Sequence, residues 1–580
     1  MTYKKAAVVM VLACSILISS CNRRDSGGSY YIDRDNFNEL GTFPLVKEQE
    51  TITIMTYNMG NDSLEDRNLF TRYYEEKTNV RVNWILVPLS QFKERVNLAL
   101  ASGDQIDLII SGENSVANFN NMEIMRMAEQ RMILPVQDLI EEETIWFKQR
   151  LNEHEAWRDL ITLPDGNIYI LPSLQGCYPC QYYGKMFVNM EFLRNLNLPV
   201  PSTTEEFKQM LIAFRDRDAN GNGNPNDEIP LMGATDNFGS RLDTYLISAF
   251  IFNDGENRLM VSDDGNVIAV FAHPQFREGL RFIKDLFNEN LISRDSFTAS
   301  RAVRAQLNSS RYESIIGAMP NFSDGQLGIR ETGQPVRFID YDPIPPLEGP
   351  DGLRVGRFDP YEAFTLGGVI PATSKNPPLV MRFLDWFMSD EGTLMLGHCQ
   401  KDIGWTDPDP GATGPTGEAA QIKPIILTPD NPNFGNIIWG YRFPVYRSLE
   451  FLNGIQVPDD PMAPDGSGRT RKGELNNSQN YVPWAVDIRN ILPPLYYSNE
   501  HRMEITTLMT TINTYVNESI ARFIVGDMNI ETGWDAYITN LHNLGLQRYL
   551  EIIQETYNNS PITAKIQAGQ TASLRLRNYD

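Results

Sequence analysis

Hydrophobic and polar residues alternate through Thr51-Ile52-Thr53-Ile54-Met55-Thr56, a β-branched run that reads as a first strand. Asn58-Met59-Gly60-Asn61-Asp62 then turns the chain, and a helical stretch precedes a second alternating strand marked by Val80, Val82, Trp84 and Leu86. Ser90 is placed to cap a helix whose apolar positions Phe92, Val96, Ala99 and Leu100 recur near the 3.6 period, and 107–110 reads as a short buried strand. This β-α-β-α-β order predicts an α/β lobe with a mainly parallel sheet and a ligand crevice at the carboxyl ends of its strands. The loops at 58–62 and 111–114 are therefore expected to face a site.

A second lobe is expected from about 168–172. In its clearest helix, Ser202/Glu205 and Thr203/Glu206 both have capping-box spacing, followed by Phe207, Met210, Leu211 and Phe214 on one face. Another helix is predicted over 274–288, with Phe276, Leu280, Ile283 and Phe287 on one side. Strands are expected at 315–319 and 338–341, and Pro377-Pro378 opens a helix carrying Leu379, Phe383 and a core Trp386. The Pro-, Gly- and Asp-rich stretch 404–471 predicts long loops, before helices over 504–523 and 533–557.

Composition sharpens this picture. A chain of 580 residues, 42% hydrophobic, can bury a large core in more than one lobe. A net charge of -23 without a sustained Lys/Arg run argues against nucleic acid as a partner. Ahead of the first strand, Lys4-Lys5, an apolar run over 6–18 and Ser19-Ser20-Cys21 form a secretion signal too short to be a membrane span. Ile18-Ser19-Ser20-Cys21 resembles the bacterial lipobox. That resemblance implies a signal peptide over 1–20, a lipid (palmitate-type) anchor on Cys21 and a tether over 21–48, with membrane contact through the lipid alone.

With Cys14 in the signal and Cys21 lipidated, Cys177, Cys180 and Cys399 remain. The C-x-x-C spacing of Cys177 and Cys180 is open to a structural disulfide, free thiols, or a redox or metal role. The disulfide is preferred, because Gln181-Tyr182-Tyr183-Gly184 makes a poor helix start for a redox motif.

Several segments in order, 98–107 (LALASGDQID), 163–172 (LPDGNIYILP), 198–231, 370–392 and 533–557, resemble the extracellular solute-binding lipoproteins of bacterial ABC importers. The likeness is to family 1, the oligosaccharide-binding type, and is similar to alginate-binding proteins. It implies a two-lobed α/β fold of the periplasmic-binding-protein type (type II) with a hinge and an interlobe cleft. Lobe 1 is expected over 49–167 and 338–392, and lobe 2 over 168–337 and 393–580. It further implies a monomer on the extracellular face of the cell membrane that closes on a carbohydrate and hands it to ABC permease subunits. The other readings are a surface lipoprotein for peptide capture, sensing or adhesion, and a secreted glycoside hydrolase or polysaccharide lyase. The enzyme reading is disfavoured: there is no G-x-S-x-G, H-E-x-x-H or Walker loop, and the five histidines are scattered.

Residues 216–228 concentrate oxygen ligands at alternate positions, the chemistry a hard calcium ion requires. This is not a regular EF-hand, since position twelve from Asp216 is Asp227 and Ile229-Pro230 opposes a following helix. The resemblance to the calcium loop of alginate-binding relatives implies Asp218, Asn220, Asn222, Asp227 and Glu228 as ligands, with a backbone carbonyl near Asn224. This loop is one residue longer before the acidic pair. Structural calcium is expected, the alternative being an empty Asn/Gly turn.

Sugars present apolar C–H faces and dense hydroxyls, which suit flat aromatic rings beside polar side chains. The candidates are Tyr57, Asn58 and Asn61 after the first strand, Tyr178, Tyr182 and Tyr183 near the lobe crossing, and Trp405, Trp439 and Tyr441 in the late loops. Glu113 and Arg357 are expected to meet polar ligand groups.

Overall fold

The alternating run at 51–56 lies within β1 (Glu50–Asn58), which pairs in parallel with β2 (Val80–Pro88) and β3 (Leu108–Ile110), Ile54 standing opposite both Trp84 and Leu108. Parallel neighbours need a crossover, and helices Leu69–Thr78 and Phe92–Ser102 supply it. The computed structural model describes residues 34–570 apart from 59–63, 66–67, 113–115, 310–312, 324–326, 329–336, 361–363, 426, 428–430, 432 and 459–469. The signal peptide, Cys21, Asn61 and Glu113 lie outside the described residues.

The later strands are β4 (Leu171–Gln175), β5 (Lys185–Asn189), β6 (Ile229–Leu231), β7 (Leu259–Val261), β8 (Val267–Ala269), β9 (Ile316–Asn321), β10 (Tyr341–Ile344), β11 (Phe364–Val369), β12 (Trp405–Thr406), β13 (Lys423–Pro424) and β14 (Tyr446–Arg447). One mixed sheet has the order β14-β4-β11-β3-β1-β2 and another the order β10-β5-β9-β6. Each sheet has its own core. Ile52 and Ile54 pack with Phe70, Tyr74, Trp386 and Trp439 on the first. Met186 and Val188 pack with Phe207, Leu211, Phe276 and Ile283, and with Ile512, Phe523 and Trp534 of the C-terminal helices, on the second. The chain passes from one sheet to the other between β4 and β5 and returns between β10 and β11. This is the expected two-lobed α/β architecture.

The sheets divide the chain differently from the expected borders at 167/168, 337/338 and 392/393. β4 and β14 belong to the first sheet and β10 to the second, and Trp439 and Phe443 pack in the first core. A strand joins the sheet that offers it backbone partners, and that choice is non-local. The later part of the stretch expected as a tether over 21–48 packs into the fold. Phe37, Leu45 and Val46 are buried in the first core, and Arg34 reaches the buried Glu143 at 2.8 Å, which Arg382 also holds at 2.7 Å.

Local signals carry over closely. Thr203 caps helix Thr204–Asp216 in a capping box with Glu206, and Phe207, Met210, Leu211 and Phe214 are all buried. The alternative Ser202/Glu205 box is not formed; the Ser202 N–H and hydroxyl both donate to Glu206. Helix Pro274–Asn288 has the predicted bounds. The single helix expected over 533–557 is two, Ile530–Asn543 and Leu546–Asn558, because Gly545 takes φ +94° between them. A 3-10 turn at Arg337–Asp340 shifts the strand expected from 338 onward to β10.

Candidate functional site

Loops around Tyr183, Phe238 and Gly255 converge on one side chain, Thr244. Its hydroxyl donates to the Phe238 carbonyl at 2.6 Å. A Cβ at Gly184 would sit 3.1 Å from the Thr244 methyl, and one at Gly255 would overlap Thr244 outright. Both glycines also take positive φ, so glycine alone lets the three loops meet.

This convergence stacks aromatic rings. Tyr183 lies 4.6 Å from Phe238 with planes 25° apart, and 4.4 Å from Phe322, which follows β9. All three residues are half-buried. The Phe322 loop is braced from behind: Ser240 donates to the Asn321 side chain at 2.8 Å, and the buried Arg304 donates to the Pro320 carbonyl at 2.8 Å. Arg357 lies over Tyr183 and Phe238 at 5.1 and 4.8 Å and donates to Asp359 at 3.0 Å. Burial pushes the Asp254 and Glu256 carboxyls up, and the Arg357 charge opposes it in both. The arrangement offers flat apolar faces beside charged hydrogen-bonding groups, which is the chemistry of a polyhydroxylated ligand site.

The first sheet presents its carboxyl-end residues differently. Tyr57 is buried edge-on against Phe92 at 5.8 Å, and Arg442 donates to its carbonyl at 3.1 Å. A Cβ at Gly112 would fall 2.8 Å from the Tyr57 hydroxyl oxygen and 3.0 Å from the Arg442 backbone, so this glycine admits Arg442 to the strand ends. Asn58 is half-buried beside them.

Of the expected aromatic candidates, Tyr183 joins the ring group. Trp439 is core: it is fully buried, its indole N–H donates to Thr71 Oγ1 at 2.7 Å, and Phe70, Trp84 and Phe443 surround it at 4.8–5.1 Å. Tyr178 is buried with its hydroxyl donating to Asn453, and Tyr182 is buried beside Phe358 and Tyr481. Trp405 is half-buried and donates to the Cys399 carbonyl at 3.0 Å. Tyr441 packs on Gly397 under the Arg447 guanidinium. Phe238 and Phe322 were not among the candidates. Nothing local marks them, since their loops are brought together by contacts far apart in sequence.

Cys177 and Cys180 form a disulfide with Cα atoms 5.3 Å apart, and Cys399 is a buried thiol that burial pushes above its ordinary pKa. The buried Lys185 donates to the Tyr182 and Pro179 carbonyls, tying the disulfide loop to the start of β5.

In the 216–228 loop, Asp218 accepts from the backbone N–H groups of Asn222 and Gly223 at 3.1 and 2.8 Å. Asn220 accepts from Asn222 N–H at 3.1 Å, and Asn222 from Asn224 N–H at 2.8 Å. The Asn222 amide donates to Asp227 at 2.8 Å and to Glu313 at 2.7 Å. One Glu228 oxygen accepts from Ala219 N–H at 2.6 Å; the other is enclosed and has no hydrogen-bond partner among the described residues. That orphaned oxygen in an oxygen-lined turn fits a hard divalent cation. Acidic groups alone do not converge as a cluster of three among the described residues, so the donor set would rely on Asn carbonyls and backbone. Asp216 is instead paired with Arg215 at 2.7 Å.

Known proteins place these features in context. The pattern of the family described as bacterial extracellular solute-binding protein matches residues 61–394. The fructooligosaccharide ABC transporter substrate-binding protein FusA of Streptococcus pneumoniae serotype 4 is 27% identical over 96% of this chain and 98% of its own. The lipoprotein LipO of Bacillus subtilis is 23% identical over 60% of this chain and 66% of its own. Among solved structures, an S. pneumoniae FusA EF-hand mutant in complex with fructo-nystose covers 90% of this chain and 100% of its own, with 23% identity and a TM-score of 0.68. Alginate-binding protein AlgQ2 without calcium ion covers 90% and 100%, with 17% identity and a TM-score of 0.62.

Proposed function

The chain belongs to the bacterial extracellular solute-binding proteins, and on that premise we propose that it captures an oligosaccharide between its two lobes and delivers it to an ABC importer. The observation that carries this reading is the stack of Tyr183, Phe238 and Phe322 at the crossing between the sheets, with Arg357 laid across two of the rings. Rings grip the C–H faces of a sugar while the flanking charged groups take its hydroxyls. A ligand touching both lobes favours the closed arrangement by its differential affinity, and that closed form is what a permease distinguishes. FusA, named for fructooligosaccharide transport, supports a carbohydrate over a peptide.

Two further parts belong to this reading. Calcium bound by Asp218, Asn220, Asn222, Asp227 and Glu228, with the backbone near Asn224, would pin the loop after helix Thr204–Asp216, and the EF-hand named for FusA supports it. A lipid on Cys21 holds the protein, as a monomer, near its permease, where proximity rather than tight affinity sustains delivery. The lipoprotein LipO supports that anchor.

Isothermal titration of the purified protein against neutral oligosaccharides and against peptides tests the function. Binding of an oligosaccharide without its turnover is expected. Binding of peptides alone would overturn the substrate class, and hydrolysis of the glycan would overturn the transport reading.

A further inference from the structure

Building on the oligosaccharide reading, we propose that Glu256 is a specificity-determining residue that admits neutral, hydroxyl-rich glycans and turns away those bearing carboxylates. Its place follows from the packing of its neighbour. Gly255 lies against Thr244, the same side chain that touches Gly184 next to Tyr183 and bonds the Phe238 carbonyl. Glu256 is therefore carried on the third loop of the ring group, and Arg241 fixes that loop by donating to the Gly255 carbonyl.

The neighbouring charges are already committed, and Glu256 is not. Asp254 accepts from the backbone N–H of Arg258 at 2.6 Å and of Asn257 at 3.4 Å, so it holds the turn. Asp359 accepts from Arg357 at 3.0 Å. Arg258 is buried against Asp243 at 2.9 Å, and Arg241 faces the same carboxylate at 3.5 Å. Glu256 is open to water and its carboxylate makes no hydrogen bond or ion pair among the described residues, although the protein around it partly desolvates the group and pushes its pKa up. Its loop, held against Thr244 at Gly255, sets it beside the ring group, and the charges of Arg357, Asp254, Asp359 and Arg241 act on it there.

Four acceptor lone pairs at a partly desolvated site suit the paired hydroxyls of a neutral sugar. A uronate there meets Glu256, Asp254 and Asp359, while the guanidiniums that would compensate are engaged by Asp359, Asp243 and the rings. Like charges brought together in a partly dry site disfavour binding. The chain's net charge of -23 works in the same direction at longer range.

The test is calorimetric titration of the mature protein, E256Q and E256K against a panel of neutral oligosaccharides, kestose included, and against alginate oligosaccharides. The expected wild-type result is binding of a neutral glycan and none of the uronates. E256Q is expected to weaken the neutral glycan about tenfold or more, as loss of a charge-assisted hydrogen bond does, and E256K to gain measurable uronate binding. Uronates bound by wild type as tightly as any neutral glycan, or E256Q and E256K indistinguishable from wild type toward both classes, would overturn the assignment while leaving the oligosaccharide reading intact. A folded wild type that binds no carbohydrate of either class would overturn that reading, and the role of Glu256 with it.

Discussion

Trp439 donates its indole N–H to Thr71 Oγ1 at 2.7 Å, joining two buried residues 368 positions apart. The bond fastens a late, loop-rich stretch into the aromatic core of the first lobe, between Phe70, Trp84 and Phe443. W439A is expected to destabilise the protein by about 3–5 kcal/mol through cavity formation. T71V, which strands a buried N–H, should cost about 1–3 kcal/mol. Urea unfolding followed by tryptophan fluorescence measures both, and a W439A variant as stable as wild type would contradict the core assignment.

The ring group should behave in the opposite way. Tyr183 is half-buried and its ring packs against Phe238 and Phe322 among the described residues. Y183A is expected to keep the fold, judged by circular dichroism and unfolding midpoint, and to weaken glycan binding about tenfold, the scale of about 1.4 kcal/mol for a lost aromatic platform. Titration of Y183A at unchanged affinity would place the ligand elsewhere.

The enclosed, unpartnered oxygen of Glu228 is expected to make the 216–228 loop sensitive to divalent metal. Calcium at a hundredfold excess over its Kd is expected to stabilise the protein by about 2.7 kcal/mol relative to the chelated form. Differential scanning calorimetry with calcium or EDTA reads this as a shift in Tm, and E228Q should abolish most of the shift.

Asp243 makes stability depend on acid. Burial by itself pushes this carboxyl up, but the charges of Arg258 and Arg241 outweigh it and hold the folded value below the ordinary one. A carboxyl lowered on folding stabilises the protein above its unfolded pKa, about 3.9, and that contribution is lost as pH falls through the lower folded value. D243N should therefore cost about 3–5 kcal/mol at pH 7, because it strands the buried Arg258. The gap between D243N and wild type should narrow as pH falls below the unfolded value and Asp243 takes up its proton, which unfolding curves across pH 2.5–7 would reveal.

Metabolic labelling with a fatty acid tests the anchor. Wild type is expected to carry the label and sediment with membranes. Cys21→Ala should lose both while the isolated protein keeps its Tm, since Phe37 is the earliest core residue of the first lobe among the described residues.

Helix Thr204–Asp216 shows what can be read locally. Its cap, its capping box and its four buried apolar positions all lie within a few turns of one another, so spacing alone specifies them. The C-x-x-C pair is similar, since a separation of three residues brings its sulfurs within bonding reach. The 216–228 loop announced its donors by composition, but the extra contact from Glu313 comes from another part of the chain and left no local trace.

The order of strands and helices, the apolar faces and the oxygen-rich loop were determined by the sequence itself, because each rests on periodicity or spacing over a few residues. Which strands share a sheet, and which aromatic residues are core and which stay half-exposed, were decided only by the tertiary structure. Trp439 and Tyr183 are both aromatics in irregular stretches. One is sealed by a bond to Thr71 and the other left half-open by two glycines meeting on Thr244. Burial is a property of the neighbours that long-range strand pairing brings, and no local pattern records them.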